Sequence, residues 1–156
     1  MKLSTRARYA LRMMIVFARQ SEGKELISLN DVSKEANVSR RYLEQLVIGL
    51  KNGALIRGKS GKGGGYTLAR PADQIKIRQI VESAIGPINI VDCVLNPENC
   101  LKSDVCECRI LYQVINNRIT GILDSLVLAD LVDGSRLNEA VKVLDTAYSN
   151  SPAPGV

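Results

Sequence analysis

Four cysteines in the second half of the chain are the residues whose type and spacing most clearly indicate chemistry. They fall within 16 residues, at Cys93, Cys100, Cys106 and Cys108. In a chain without a secretion signal, such clustering predicts metal, cluster or redox chemistry before structural disulfides. The sequence contains no histidine, which excludes every mechanism that uses imidazole as a base, an acid or a metal ligand.

The intervals between the cysteines favour some of these chemistries over others. Structural zinc usually takes CxxC pairs on tight knuckles, and neither of the two wide intervals here fits that pattern. Loops of six and five residues instead allow three thiolates to converge on an iron–sulfur cluster, which is wider than a single ion. The spacing therefore favours a cluster, then a redox dithiol, then zinc, and cysteines without a shared role remain an alternative.

A glycine-rich run, KSGKGGG over residues 59–65, is the second feature with possible chemistry. A phosphate-binding Walker loop needs Gly-Lys-Ser/Thr at the start of a helix, whereas a strand pattern follows this run. Residues 55–58 and 66–69 predict a β-hairpin with the glycines at its tip. We expect this hairpin to be a wing, with Lys59 and Lys62 reaching phosphates or the minor groove and the glycines letting the backbone approach DNA.

Two short amphipathic helices are predicted before the hairpin. Ser28 and Ser39 are good N-caps, and apolar residues recur at helical spacing after each of them. We expect Gly53 to end the second helix as its C′ residue. Two such helices joined by a three- or four-residue turn form a helix-turn-helix. The outer, amino-terminal part of the second helix then carries the residues expected to contact base edges, Arg40, Arg41, Glu44 and Gln45, while Gly64 belongs to the DNA-contacting wing.

The charge of the chain, +5 overall, is divided unevenly. Residues 1–85 hold 16 Lys/Arg and 7 Asp/Glu, whereas residues 86–156 hold 5 and 9. A basic first half predicts a polyanion-binding module. No apolar run reaches the roughly 18 residues of a membrane span and no signal-peptide cleavage pattern is present, so we expect a cytoplasmic protein without a membrane partner. No nucleophile–base pair or paired-carboxylate cleft can be assembled, so we expect no enzyme activity.

Further helices are predicted over residues 6–20, 77–85, 105–128 and 136–149. The third, about 24 residues and about 36 Å long, exceeds what so small a domain can bury, so its apolar stripe predicts dimerisation. The fold class is mainly α with a small β-hairpin wing, a winged helix-turn-helix plus a long dimerisation helix. The predicted organisation is a DNA-binding domain (1–86), a cysteine-bearing cluster loop (87–104), a dimerisation helix (105–133), and a carboxy-terminal helix and tail (134–156).

Four segments of the chain resemble the IscR/NsrR-type winged-helix regulators, over roughly residues 1–133. In order, the segments resemble that family's opening helix, recognition helix, wing and end of the dimer helix. The resemblance implies a homodimeric, DNA-binding transcription regulator that often holds a [2Fe–2S] or [4Fe–4S] cluster before the dimer helix. Glu44 and Gln45 match positions that the family uses beside or against bases. The four segments are MKLSTRARYALR (1–12), VSRRYLEQL (38–46), KGGGYTL (62–68) and ITGILDSLVLADL (119–131).

The resemblance also implies a set of cluster ligands. Cys93, Cys100 and Cys106 align with the family's three cysteine ligands, although the first interval is one residue longer than the commonest spacing. IscR-type proteins place a histidine three positions after the last cysteine, where this chain has Arg109. Nitric-oxide-sensing relatives can use an aspartate of the opening helix, where this chain has Arg8. The usual fourth ligand is therefore missing by both routes.

Cys108 is the substitute that we expect for this fourth ligand. Side chains two residues apart on a helix diverge, so Cys106 and Cys108 can share a cluster only if the helix begins after Cys108. Glu107, Asp104 or an exogenous molecule are the alternatives.

These observations predict a transcription regulator, acting as a repressor, whose operator affinity is controlled by a cysteine-ligated iron–sulfur cluster. A [2Fe–2S] cluster is favoured over [4Fe–4S]. The expected partners are a double-stranded DNA operator and a second copy of the chain. The alternative is a cluster-free regulator that senses by binding a partner protein or by thiol redox change.

Overall fold

The computed structural model describes residues 3–21, 23, 25–102 and 105–149, with side chains up to residue 147. Asp104 and the predicted tail beyond residue 149 lie outside the described residues. No helix of the described residues is long and apolar enough to cross a membrane. The regular elements are α1 (Thr5–Gln20), α2 (Leu29–Ala36), α3 (Arg40–Asn52), β1 (Ile56–Lys59), β2 (Gly65–Leu68), α4 (Ile77–Ile85), α5 (Glu107–Ser125), α6 (Leu128–Val132) and α7 (Gly134–Ser149).

Helix α1 forms the centre of the hydrophobic core. The Ser4 hydroxyl caps it by accepting a hydrogen bond from the Ala7 N–H at 3.1 Å. The helix packs against α2, α3, α4, α6 and β2, and Met13, Met14 and Phe17 are fully buried. The exposed positions of α1 are Thr5, Arg8, Arg12 and Arg19, so its apolar face is buried inside one chain and its polar face meets solvent.

Helices α2 and α3 form the predicted helix-turn-helix. The hydroxyl of Ser28 accepts from the Asp31 N–H, and the hydroxyl of Ser39 accepts from the Tyr42 N–H, which confirms both caps. Between the helices Asn37 adopts a left-handed conformation with φ of 51°, which asparagine tolerates better than most residues. The two caps and this residue fix the angle at which α3 leaves α2.

The end of α3 differs from the expectation. Gly53 has φ of −75°, and its N–H still donates to the Gly49 carbonyl at 2.9 Å. The left-handed residue is the next one, Ala54, with φ of 53°. Gly53 lies against α4 instead, where a Cβ would meet the Ser83 hydroxyl and force that side chain to move. The helix therefore ends one residue later than a glycine C′ position predicts.

The hairpin follows α3 and is anchored to the core. Strands β1 and β2 pair antiparallel, from Ile56 opposite Leu68 to Lys59 opposite Gly65. Tyr66 also exchanges two backbone hydrogen bonds of 2.9 Å with Ile27, in the segment before α2. The base of the wing is thus attached on both sides, while its tip extends beyond the pairing.

Helix α5 is shorter than the sequence predicts. It begins at Glu107 and ends at Ser125, so its 19 residues span about 28 Å. The apolar stripe runs on to residue 128, but Leu126 and Val127 are extended. The Leu126 carbonyl accepts from the Ile77 N–H at 3.0 Å, and the Leu128 N–H donates to the Ile75 carbonyl at 2.8 Å. These hydrogen bonds to the start of α4 and to the residue two positions before it end the helix despite its periodicity.

Candidate DNA interface and cysteine loop

The recognition helix α3 exposes its amino-terminal polar residues. Its four predicted base-contacting side chains are all exposed: Arg40, Arg41, Glu44 and Gln45. Arg40 donates from Nε to Glu44 at 3.0 Å and from Nη1 to the Asn30 side-chain oxygen at 3.2 Å. Arg40 is thereby oriented towards the start of α2, and because a guanidinium carries five N–H donors these two hydrogen bonds leave others for a base edge.

A groove of about 370 Å³ lies between the start of α2, the start of α3 and the wing. It brings together four of the seven residues predicted to contact DNA: Arg40, Glu44, Lys59 and Gly64. The other three are exposed but do not line it: Arg41, Gln45 and Lys62. The recognition helix and the wing thus share one concave surface, which is the arrangement a winged helix uses on DNA.

The glycines of the wing have different structural roles. Gly61 and Gly63 have positive φ, 103° and 77°, and a Cβ on either would meet open space. Gly64 has no positive φ, and its N–H closes the turn on the Gly61 carbonyl at 2.9 Å. A Cβ on Gly64 would collide with the Lys59 carbonyl oxygen. The expected conformational freedom therefore belongs to Gly61 and Gly63, whereas Gly64 is needed for the hairpin to close.

The variant Gly64→Val tests whether Gly64 is needed for the hairpin to close. We expect it to open the wing tip and to weaken binding to specific and random duplexes alike, because the added side chain collides with the hairpin's own backbone. The matched control is Gly63→Asn, which places a residue that tolerates positive φ into open space. We expect near-normal binding for this control. An equal loss in both variants, in a titration against labelled duplex, would show that DNA approaches the glycine backbone directly.

Two contacts of α1 position the recognition helix, and the sequence interpretation missed them. Tyr9 packs edge-on against Tyr42, with ring centroids 5.4 Å apart. The half-buried Arg6 donates from Nε to the Ala84 carbonyl and lies 3.5 Å from the Gln45 carbonyl through Nη2. The four arginines of α1 gave no signal in the sequence that distinguishes Arg6 from Arg8, Arg12 and Arg19.

The cysteine loop connects α4 to α5 through two 3₁₀ turns, Asp92–Val94 and Pro97–Asn99. The turns pack on each other, and the first also packs on α5. All four cysteines are free; the half-buried ones are Cys93, Cys100 and Cys106, and Cys108 is exposed.

Cys106 and Cys108 lie on different sides of a helix boundary. Cys106 is the extended N-cap residue of α5, with φ of −89° and ψ of 106°, and Cys108 lies inside the first turn. This is the arrangement in which the two side chains diverge. The geometry therefore favours three cysteine ligands over four.

The cysteine thiols are chemically suited to an iron–sulfur cluster, but no three of them lie close together in the described part of the structure. Thiolates are the preferred ligands of such clusters, and three half-buried free thiols occur on one loop. Among the described residues, no three Cys, Asp or Glu side chains lie close enough together to hold a single metal ion. Cluster binding would therefore have to draw Cys93, Cys100 and Cys106 together.

Helix α5 presents an exposed apolar stripe. Ile110 and Leu111 are 67% and 57% exposed, and Val114 and Ile115 continue the same face. Four large apolar side chains at helical spacing on one face exceed the scattered exposure normal for a protein surface. The stripe is a candidate surface for a second chain.

The capped helix-turn-helix and the wing, which share one groove, define a winged-helix DNA-binding protein. The chain matches the Rrf2 family, described as iron-dependent transcriptional regulators, over residues 3–134, and it belongs to that family. It is a DNA-binding transcription regulator, and this family consists of regulators rather than enzymes.

Three similar proteins illustrate the relationship. A putative HTH-type transcriptional regulator of Haemophilus influenzae is 34% identical over 133 residues, covering 85% of this chain and 87% of that protein. The structure of CymR, the global cysteine regulator of B. subtilis, superposes with a TM-score of 0.68 at 33% identity and covers 85% of this chain and 96% of the other. T. potens IscR gives a TM-score of 0.66 at 26% identity, with 99% and 94% covered.

Proposed function

We propose that the DNA affinity of this regulator is set by an iron–sulfur cluster held by Cys93, Cys100 and Cys106. The observation that carries the proposal is the position of three free, half-buried cysteines on the segment that joins α4 to α5. This segment is the covalent link between the DNA-binding helices and the stripe-bearing helix. A change in its conformation therefore acts on both units.

The description of the family as iron-dependent and the similarity to T. potens IscR support the cluster. When bound, an iron–sulfur cluster supplies a cross-link that is sensitive to iron supply and oxidation. The chain's own contribution is to hold the loop against α5 at the Asp92–Val94 turn and to present Cys106 just outside the helix. Cys108 joins the ligand set only if the first turn of α5 unwinds. A [2Fe–2S] cluster remains our preferred form, and because Cys108 lies inside α5 we now prefer a non-protein fourth ligand, which the sequence analysis gave only as an alternative to Cys108.

We also propose that the protein acts as a two-fold dimer through the stripe on α5. A helix-turn-helix dimer contacts two half-sites about one helical turn apart, so the spacing of two recognition helices becomes part of the affinity. A loop joined to α5 can alter that spacing. This gives the cysteines a physical route to repressor activity at an operator.

Gln45 and Lys59 are proposed to contribute in different ways. We expect Gln45→Ala to relax sequence preference by about 1–3 kcal/mol, because a bidentate contact to a base edge is lost. We expect Lys59→Ala to weaken binding to every sequence similarly and to reduce the salt slope by about one unit, because one phosphate contact is lost.

Salt titrations against a duplex enriched from a random pool and against random duplex measure both effects. Glu139→Ala, on the exposed surface of α7, is the control and should bind like wild type. If both variants lost the same affinity on both duplexes, the proposed roles of Gln45 in base contact and Lys59 in phosphate contact would be contradicted.

Thiol sensing without a cluster is the second candidate. It is favoured by the absence of a gathered donor set among the described cysteines and by the similarity to a protein described as a global cysteine regulator. Anaerobic purification followed by iron, sulfide and visible-absorption measurements separates the two candidates. Iron and sulfide bound together with charge-transfer absorption support the cluster, and protein free of both after reconstitution contradicts it.

A further inference from the structure

The cysteine loop is hydrogen-bonded to α4 where the loop begins. The N–H of Ile88 lies 3.4 Å from Oε1 of Glu82, near the carboxyl end of α4. The same carboxylate oxygen accepts a hydrogen bond of 2.9 Å from Nε of Arg78, one turn earlier. Glu82 Oε1 therefore accepts from both the loop and the Arg78 guanidinium, and a displacement of the loop removes one of these two donors.

Arg78 in turn connects α4 to α5. Its Nη1 donates to Oδ2 of Asp124 at 2.8 Å, and Lys76 lies 3.7 Å from the other oxygen of that carboxylate. Hydrogen bonding from Arg78 holds the pKa of Asp124 below its usual value, and the two carboxylates raise the pKa of Arg78. The pair is therefore charged at neutral pH, and one guanidinium fork bridges two helices.

Helix α4 is also in tight contact with the recognition helix. A Cβ on Gly49 of α3 would collide with the Ser83 carbonyl of α4, so the two backbones are already as close as they can be. The next carbonyl, that of Ala84, accepts from Arg6, which also reaches the Gln45 carbonyl. Because the two helices are in direct backbone contact, a shift of α4 would displace α3 as well.

We propose that Arg78 is a positioning residue that couples the cysteine loop and α5 to the recognition helix. It does so by bridging Glu82, which holds the start of the loop, and Asp124, which fixes α5. The inference builds on the proposed function, in which the loop is the sensor. It assigns the transmission step to one side chain whose described hydrogen bonds go to Glu82 and Asp124, and which is not among the predicted DNA contacts or cluster ligands.

The test uses the whole 156-residue chain without a cluster, so that it does not depend on cluster loading. Coupling between two sites is reciprocal, so binding of DNA must alter the loop if the loop alters the binding of DNA. The readout is the rate of alkylation of Cys93 by iodoacetamide, measured by mass spectrometry with and without a saturating duplex enriched from a random pool. We expect DNA to change the wild-type rate about fivefold or more.

The quantity compared is the ratio of the Cys93 alkylation rates with and without duplex. The variants Arg78→Gln and Asp124→Asn should each bring this ratio about threefold or more closer to one, and the double variant should give the same ratio as either single variant. Arg78→Lys should also bring the ratio closer to one, because an ammonium keeps the charge but lacks the fork. The matched control is Arg136→Gln, which breaks the 3.2 Å ion pair with Asp130 between α7 and α6 and should keep the wild-type ratio. A purely structural role for Arg78 would lower the melting temperature of its variants and leave the ratio unchanged.

A wild-type rate that does not respond to DNA would overturn the inference, as would a wild-type ratio in Arg78→Gln. Equal losses in Arg78→Gln and Arg136→Gln would overturn it as well. The iron, sulfide and absorption measurements decide the cluster proposal separately. A protein that binds no cluster but shows the Arg78-dependent ratio would reject that proposal and retain this one.

Discussion

Alanine at Cys93, Cys100 or Cys106 is expected to abolish iron–sulfur cluster binding, whereas alanine at Cys108 is expected to leave it intact. The first three are half-buried on the loop and at the N-cap of α5, and Cys108 is exposed inside the first helical turn. A cluster needs its thiolate ligands, so removing one of three leaves too few protein ligands. Anaerobic reconstitution, followed by visible absorption and electron paramagnetic resonance of each variant, measures the effect.

Cys108→Ala serves as the matched control for the other three variants. Loss of the cluster in that variant as well would place Cys108 among the ligands and would require the first turn of α5 to unwind. Retention of an unaltered spectrum in all four variants would remove the cysteines from the cluster site altogether.

Charge introduced on the α5 stripe is expected to produce a monomer with weak DNA binding. The double variant Leu111→Asp/Ile115→Asp places two carboxylates on the apolar face that we propose pairs with a second chain. A monomer binds one half-site at a time, so the affinity for a two-half-site operator should fall by about 100-fold or more. Light scattering gives the mass, and titration of the same sample gives the affinity.

The control for this pair is Val143→Asp, which adds a carboxylate at a 64% exposed position of α7 away from the stripe. It should remain a dimer. A dimeric Leu111→Asp/Ile115→Asp variant, with its fold intact by circular dichroism, would contradict the proposed interface.

Local signals were enough to predict the DNA-binding elements. Ser28 and Ser39 cap their helices through their own side chains, and the apolar spacing after each is satisfied within two turns. The hairpin was also predictable, because a glycine-rich tip between two short β patterns has few other solutions. These features depend on neighbours in sequence, so the sequence suffices to identify them.

The deviations come from contacts distant in sequence. The stripe of α5 continues past Ser125, but backbone hydrogen bonds to Ile75 and Ile77 end the helix there. Gly53 has the sequence signature of a helix terminator, yet its φ is not positive and it packs against Ser83 on α4. The bridge from Arg78 to Asp124 joins residues 46 positions apart and has no local signature.

The candidate cluster site was predictable in residue type but not in geometry. Four clustered cysteines indicate metal, cluster or redox chemistry from the sequence alone. The loop that carries them has only two short 3₁₀ turns, so no hydrophobic periodicity predicts where each cysteine side chain lies. Whether Cys106 and Cys108 share a face depended on where α5 begins. A one-residue shift of that boundary changes the outcome, and sequence patterns do not locate helix ends so finely.

The central claim is that the cysteine loop controls operator affinity through its cluster, and one measurement tests it most directly. The same preparation is titrated against a duplex enriched from a random pool, anaerobically, before and after removal of iron by a chelator. We predict that the two affinities differ by about fivefold or more, and that Cys93→Ala shows one affinity in both conditions. Equal affinities, with iron and sulfide bound stoichiometrically beforehand, would contradict the account.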